Sequence, residues 1–293
     1  ERGYEPQNMA GASAGAIVAA LIAAGYGADE LKEIIADLDY DQFKDEALED
    51  RFPGGKTLSI LKDLGIYEGK TFEDWMRGLL EAQNVRTFGD LVRREDVELK
   101  YRYKLQVIAS DVTERRLLVL PRDAPKLGIE DPDDIDVAQA VRMSMSIPIY
   151  FEPVRLTNRQ TGEEHLIVDG GMLSNFPVWL FDAPEPQWPT FGMKLVQKPE
   201  TPIGEELAEP VPRGGVMQVI GYLRSLVDTM MAAHDRLYIE QNDFDQRTIG
   251  IDTLGVGTTE FDLSPERALA LYDSGRTAAE DFLAKDREET PQQ

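Results

Sequence analysis

Apolar positions recur along the chain in two rhythms. Residues 16–24 are apolar at every position and stop at Gly25, which predicts a helix buried on all sides. A second helix is predicted over Asp29 to Asp37, where acids in the first turn suit the helix dipole and Leu31, Ile34, Ile35 and Leu38 fall at helical spacing. Helical periods return at 72–82, at Ile135 to Met143 and over 216–240. The stretch 216–240 sets Val216, Val219, Ile220, Leu223, Leu226, Val227, Met230 and Met231 on one face, a pattern read as core rather than as a lipid-facing lid. Ser264 and Pro265 supply an N-cap and a first helical residue for a last helix that should reach about Ala284. Between these lie short apolar runs at Lys104 to Ala109, Arg116 to Leu120, His165 to Val168, Phe191 to Val196 and Arg247 to Ile251, which read as buried strands. Such alternation predicts one α/β domain over residues 1–293 with a partly parallel sheet, followed by a polar tail at 286–293.

Composition narrows the function. The 54 acidic and 31 basic side chains give a formal charge of −23, a field that repels phosphate backbones and argues against nucleic acid as a partner. The absence of cysteine removes disulfide scaffolds, cysteine-ligated zinc and thiol catalysis. No apolar run approaches the roughly 20 residues that span a bilayer. Residues 86–126 run against the overall sign, with ten Lys or Arg and seven Asp or Glu, and read as a solvated strand pair before an anionic-lipid patch.

The candidate chemistry begins at Gly11-Ala12-Ser13-Ala14-Gly15. This is the pattern of a nucleophile elbow, in which a serine between strand and helix occupies strained backbone and requires tiny neighbours two places away on either side. The helix that follows would aim backbone N–H groups and a positive dipole at a developing oxyanion. A serine needs a base, and the chain holds two histidines. His234 stands beside Asp235 on the long helical stretch and reads as a solvated helix-face residue. His165 follows Glu163 and Glu164 at a strand entrance and reads as a surface residue. Asp169 is better placed, ending the apolar run Leu166-Ile167-Val168 and opening Asp169-Gly170-Gly171, the sole Asp-Gly pair in the chain. That dipeptide is equally a favoured turn, and an isolated aspartate of pKa about 3.9 is a weak base unless burial raises it.

Three segments taken in order resemble the bacterial patatin-like phospholipases: Gly11 to Ile17, Ala140-Val-Arg-Met-Ser-Met-Ser-Ile-Pro148 and Asp169-Gly-Gly-Met-Leu-Ser-Asn-Phe-Pro177. The ending, Phe261 to Arg267 followed by Leu271 to Gly275, is also similar to members of that family. The resemblance implies a three-layer α/β/α fold with a central, mostly parallel sheet. It also implies a Ser–Asp dyad, with Ser13 as nucleophile and Asp169 as base, Ala14 N–H as an oxyanion donor between Gly11 and Gly15, and Gly170-Gly171 as a supporting loop. The segment around Ser144 and Ser146 would pack near the site as support. The implied substrates are phospholipids, lysophospholipids or related acyl esters, cleaved through an acyl-enzyme without metal or cofactor, with peripheral membrane contact and a cytoplasmic location. The family's glycine-rich oxyanion loop and its first strand are expected before Glu1, because Glu1-Arg2-Gly3-Tyr4-Glu5-Pro6 reads as the close of a helix. Two alternatives stand beside this reading: a catalytically silent lipid-binding or interaction protein on the same fold, and a Ser–His–Asp esterase that uses His234.

Two other patterns fail on spacing. Gly54-Gly55-Lys56-Thr57 lacks the first glycine of a phosphate loop, since position 50 is Asp. Asp37, Asp39 and Asp41 begin like a calcium loop, but Gln42 and Leu48 occupy positions that such a loop reserves for glycine and glutamate.

Overall fold

In the computed structural model the described residues are 4–36, 64–67, 69–93, 98–186, 188–196, 221–223, 225–227, 229–230, 247–257 and 263–289. The readings made of His234, of the acids at 37, 39 and 41 and of Gly54-Gly55 lie outside them. The elbow motif folds as strand β1 (Met9–Ala12) and helix α1 (Ala14–Ala24), followed by α2 (Ala28–Ala36), strand β2 (Gly65–Tyr67) and α3 (Lys70–Ala82). Strands β3 (Leu105–Asp111) and β4 (Arg116–Leu120) lead to α4 (Val137–Ser144), β5 (Ile149–Phe151), β6 (Val154–Thr157) and β7 (Glu164–Asp169). Strands β8 (Gly192–Val196) and β9 (Thr248–Asp252) precede the last helix, α5 (Pro265–Glu289). That helix continues past Ala284 into the stretch read as polar tail.

The main sheet has the order β1-β3-β7-β6, with β4 pairing along β3. Among the described residues one of its four pairings is parallel, so the expectation of a mostly parallel central sheet is corrected to a mixed one, in which strand direction follows the connections. β1 and β3, separated by helices, run parallel, as do the pairs β2·β5 and β8·β9. β4 and β7 lie antiparallel to β3, and β6 antiparallel to β7. Residues 112–115 and 158–163 are too few to make a crossover and can only turn a hairpin.

Every residue of β3 is buried, so both faces of the sheet are covered, as the three-layer arrangement requires. Alternate residues serve different layers. Leu105, Val107 and Ala109 join α1, α3 and α4 in the large core, with Leu118 and Leu120 of β4 on the same side. Ile108 and Val119 face the other way and pack with Ala12 and Leu180. Helix α1 buries Ala16, Ala19, Ala20, Leu21 and Ala23 and is exposed at Ala14 and Gly15, its first turn. It ends as the sequence predicts, with Gly25 at φ 112° and its N–H on the carbonyl of Ile22 at 3.0 Å. Helix α4 is capped by Asp136, whose carboxylate accepts the N–H of Gln139 at 3.0 Å.

The long apolar face predicted over 216–240 is described only in part. Val227 is buried against Ile147, Ile149 and Phe151, whereas Leu223, Leu226 and Met230 are exposed, so the core reading holds for one of these four positions.

Leu80 of α3 is 1% exposed in the large core. Leu80→Ala is expected to lower unfolding free energy by about 2–5 kcal/mol through lost burial and the cavity left behind, measurable as a shift of the urea midpoint with unchanged slope.

Candidate active site

Ser13 sits between the last residue of β1 and the first of α1 with φ 51° and ψ −132°, left-handed backbone that a non-glycine residue enters at a cost of about 1–3 kcal/mol. In this geometry the side chain meets the last residue of β7, Asp169. Gly11 permits it: a Cβ there would lie 2.3 Å from the carbonyl oxygen of Gly15. The second glycine of the motif is different, because a Cβ at Gly15 would meet nothing within 4 Å. The expectation of enforced smallness therefore holds on the strand side only, since Gly15 opens outward from the first turn of α1.

The Ser13 hydroxyl donates to Asp169 Oδ2 at 2.6 Å, across 156 residues of sequence. Asp169 closes β7 opposite Ala109 of β3, and its own N–H donates to the carbonyl of Ser146 at 2.9 Å. Its second oxygen, Oδ1, accepts the N–H of Gly171 at 2.7 Å. Gly170 has to be glycine for space, because a Cβ would approach the carbonyl oxygen of Ile108 to 2.3 Å. The turn at Asp169-Gly170-Gly171 is thus both an ordinary turn and the seat of the carboxylate.

Asp169 is completely buried. Burial pushes its carboxyl up to about 7, against the opposing pull of the Ser13 hydroxyl and the Gly171 N–H, which both favour the charged form. A carboxylate of that basicity can accept a proton near neutral pH, which an exposed aspartate does poorly.

His165 does not join this pair, and His234 lies outside the described residues. His165 is 2% exposed rather than on the surface, with Nδ1 3.0 Å from Asp111 Oδ2. Asp111 also takes Arg116 at 3.1 Å. The two glutamates before His165 point to solvent at the strand entrance, but β7 is flanked by β3 and β6, and the alternation of its side chains carries His165 inward.

The segment around Ser144 and Ser146, which the resemblance set near the site, lies against Ser13 and Asp169, but the individual contacts were not foreseen. Ser144 Oγ accepts the Ser13 N–H at 2.9 Å. Met145 Sδ lies 3.9 Å from the Ser13 hydroxyl. The only signal for these contacts was the resemblance of the Ser144-Met145-Ser146-Ile147-Pro148 stretch to a family segment.

The family model for patatin-like phospholipases matches residues 1–182, which hold Ser13, Ser144 and Asp169. The chain belongs to the patatin-like phospholipase family. The protein YqhO of Bacillus subtilis (strain 168) is 37% identical over 286 residues, covering 97% of this chain and 90% of YqhO. The protein R571 of Acanthamoeba polyphaga mimivirus is 26% identical over 184 residues, 61% of this chain and 52% of R571. The crystal structure of VipD from Legionella pneumophila superposes with a TM-score of 0.51 at 19% identity, over 96% of this chain and 61% of VipD, a likeness of fold. Membership of the family supports lipid acyl hydrolase activity as a class.

Asp169→Asn separates charge from shape. A folded pKa of about 7 lies above the unfolded value of about 3.9, so the stability associated with this residue is complete below about pH 4 and is lost as pH rises through about 7. Asparagine does not titrate. The melting temperature of Asp169→Asn relative to the unsubstituted protein is expected to move in favour of asparagine between about pH 4 and about pH 8, and a difference independent of pH would contradict the burial argument.

Proposed function

We propose that the protein is a serine acyl-ester hydrolase acting on phospholipids, lysophospholipids or related lipid esters through an acyl-enzyme on Ser13. The observation that carries this reading is the 2.6 Å hydrogen bond from the Ser13 hydroxyl to a buried, basic Asp169. Asp169 takes the hydroxyl proton as Ser13 Oγ attacks the ester carbonyl. The tetrahedral oxyanion is stabilised by the N–H of Ala14, exposed in the first turn of α1, one of the groups a helix leaves without an internal partner. Collapse of the intermediate expels the alcohol, which receives the proton held by Asp169. Water then gives its proton to the same carboxylate, attacks the acyl-enzyme and releases the fatty acid, with the proton returning to Ser13 Oγ.

A lipid rather than a small soluble ester is supported by the surround of the dyad. Leu173, four residues beyond Asp169, is exposed. Tyr67, Tyr150 and Met172 pack on the small apolar cluster of Ile147, Ile149, Phe151 and Val227, and Tyr222, Leu223, Leu226 and Met230 near Val227 are exposed. Peripheral contact with lipid is read from this apolar rim rather than from charge. Of the cations in residues 86–126, Arg86, Lys100, Arg102, Arg116, Arg122 and Lys126 each pair with a carboxylate, which leaves the segment little net attraction for anionic headgroups. No described helix is long and apolar enough to cross a membrane.

Two measurements test the assignment. Ser13→Ala is expected to lower kcat on a lysophospholipid by at least about 10³-fold, and retention of full activity would end the proposal. For the intact chain, kcat/KM should rise about tenfold per pH unit below about 7 and level off above it, because the ionised Asp169 is the active base.

A further inference from the structure

Ser144 belongs to helix α4 and is separated from Ser13 by 131 residues, yet its hydroxyl is the acceptor for the Ser13 N–H. The bookkeeping of that hydroxyl is complete. It has one proton, and this goes to the carbonyl oxygen of Ile108 at 2.6 Å. Its lone pairs then face the Ser13 N–H at 2.9 Å. Ser144 is 0% exposed, so water cannot replace either bond. Ile108 is itself fixed on both sides in the sheet, paired with Ala12 of β1 and Val119 of β4. The same carbonyl oxygen stands where a Cβ of Gly170 would be. One backbone oxygen at the centre of the sheet is therefore the fixed point for the nucleophile, through Ser144, and the contact wall for the turn that carries the base.

The base is held from the same segment. Ser146 accepts the Asp169 N–H on its carbonyl at 2.9 Å. The Ser146 hydroxyl donates to the carbonyl of Arg142 at 2.8 Å and accepts from the Arg142 guanidinium. Arg142 is 4% exposed and extends to the carbonyls of Gly69 at 3.1 Å and Glu152 at 2.9 Å. Two serines one residue apart thus reach the two halves of the dyad, one by side chain and one by backbone.

We propose that Ser144 is a positioning residue that holds Ser13 in its left-handed conformation with the hydroxyl on Asp169. The proposal rests on Ser13 being the nucleophile. Ser13 has positive φ without being glycine, and such a conformation persists only where its surroundings over-determine it. The bond from Ser144 supplies that constraint at the backbone N–H of Ser13 itself. It also takes the Ser13 N–H out of the set available to the oxyanion, which leaves that task to the first turn of α1. Without the bond, Ser13 can relax toward ordinary φ and carry Oγ away from Asp169, while the apolar surround that receives the lipid is unchanged.

The test uses Ser144→Ala in the full chain, with a fluorophosphonate probe as well as a lysophospholipid substrate. kcat per probe-titrated site is expected to fall roughly 10- to 100-fold with KM within about twofold, and the phosphonylation rate of Ser13 should fall by a similar factor. A role in stability alone predicts a different pattern: fewer competent molecules, each with the kcat and labelling rate of the unsubstituted protein. Leu80→Ala is the control for that pattern. Ser144→Ala with phosphonylation and kcat per site within about twofold of the parent overturns the proposal. Should Ser144→Ala not fold, amide exchange of the unsubstituted protein decides the matter, with Ser13 N–H expected to be protected relative to those of Ala14 and Gly15. A Ser13 N–H that exchanges as fast as theirs is the overturning result. If the probe fails to label Ser13 in the unsubstituted protein, the hydrolase reading itself falls, which is a separate outcome.

Discussion

Asp169 ends a strand covered on both faces, so its carboxyl meets no water and relies on the Ser13 hydroxyl and the Gly171 N–H for its polar contacts. Much of the surrounding structure follows from placing a carboxyl there. A buried charge is tolerated only when its neighbours are fixed, because a donor that drifts leaves the ion uncompensated in a medium of low dielectric. Each neighbour is fixed. Ser13 is set by the β1–α1 junction, Gly171 by the turn that starts at Asp169 itself, and the Asp169 backbone by Ser146. Burial and hydrogen bonding pull the carboxyl in opposite directions, and burial wins. The result is a carboxyl near neutrality that can be charged without being indifferent to a proton.

How much of this is legible in the sequence depends on how local the cause is. Gly11 and Ser13 are readable because the steric rule acts within five residues. Asp169 is readable because an apolar run delivers an acid to a strand end, although its partner lies far away in sequence. The contact of Ser144 with Ser13 has no local signal: a serine in the last turn of a helix looks the same whether it faces another backbone N–H or solvent. His165 misleads for a related reason. Glu163 and Glu164 report the solvent at the strand entrance, whereas His165 answers to the alternation of a strand flanked on both sides. The strand segments were legible, but the expectation of a mostly parallel sheet was not met, since direction depends on whether the intervening residues hold a helix or turn a hairpin.

The acidity of the chain has a similarly divided meaning. A charge of −23 reads as repulsion of anionic polymers, and the basic segment at 86–126 reads as an exception to it. The fold removes much of the exception by pairing those cations with neighbouring acids, such as Arg102 with Asp133 at 2.7 Å and Arg86 with Glu81 at 3.0 Å. Charge then says little about where a lipid approaches. On the proposed hydrolase reading the apolar side chains left exposed near Val227 and at Leu173 say more, because burying them against acyl chains is favourable at about 25 cal/mol per Å² and is insensitive to headgroup sign.

Two unfavourable features, strained backbone at Ser13 and a desolvated carboxyl at Asp169, stand within one hydrogen bond of each other. Neither stabilises the fold, and each would relax if the other were absent. A Ser13 of ordinary φ would withdraw its hydroxyl and leave Asp169 Oδ2 without its donor. A solvated Asp169 would return toward the pKa of a free aspartate and hold the hydroxyl more weakly as a base. Their coexistence therefore requires support from elements that take no part in either cost. The large core formed by α1, α3 and α4 on β3 and β4 supplies it, since one fully buried leucine contributes about 1.5–3 kcal/mol, comparable to the strain at one residue. Helix α4 belongs to that core through Val137, Ala138, Ala140, Val141 and Met143 and ends at Ser144. The stability of the core is in this way carried to the dyad by the first polar residue after the last apolar one.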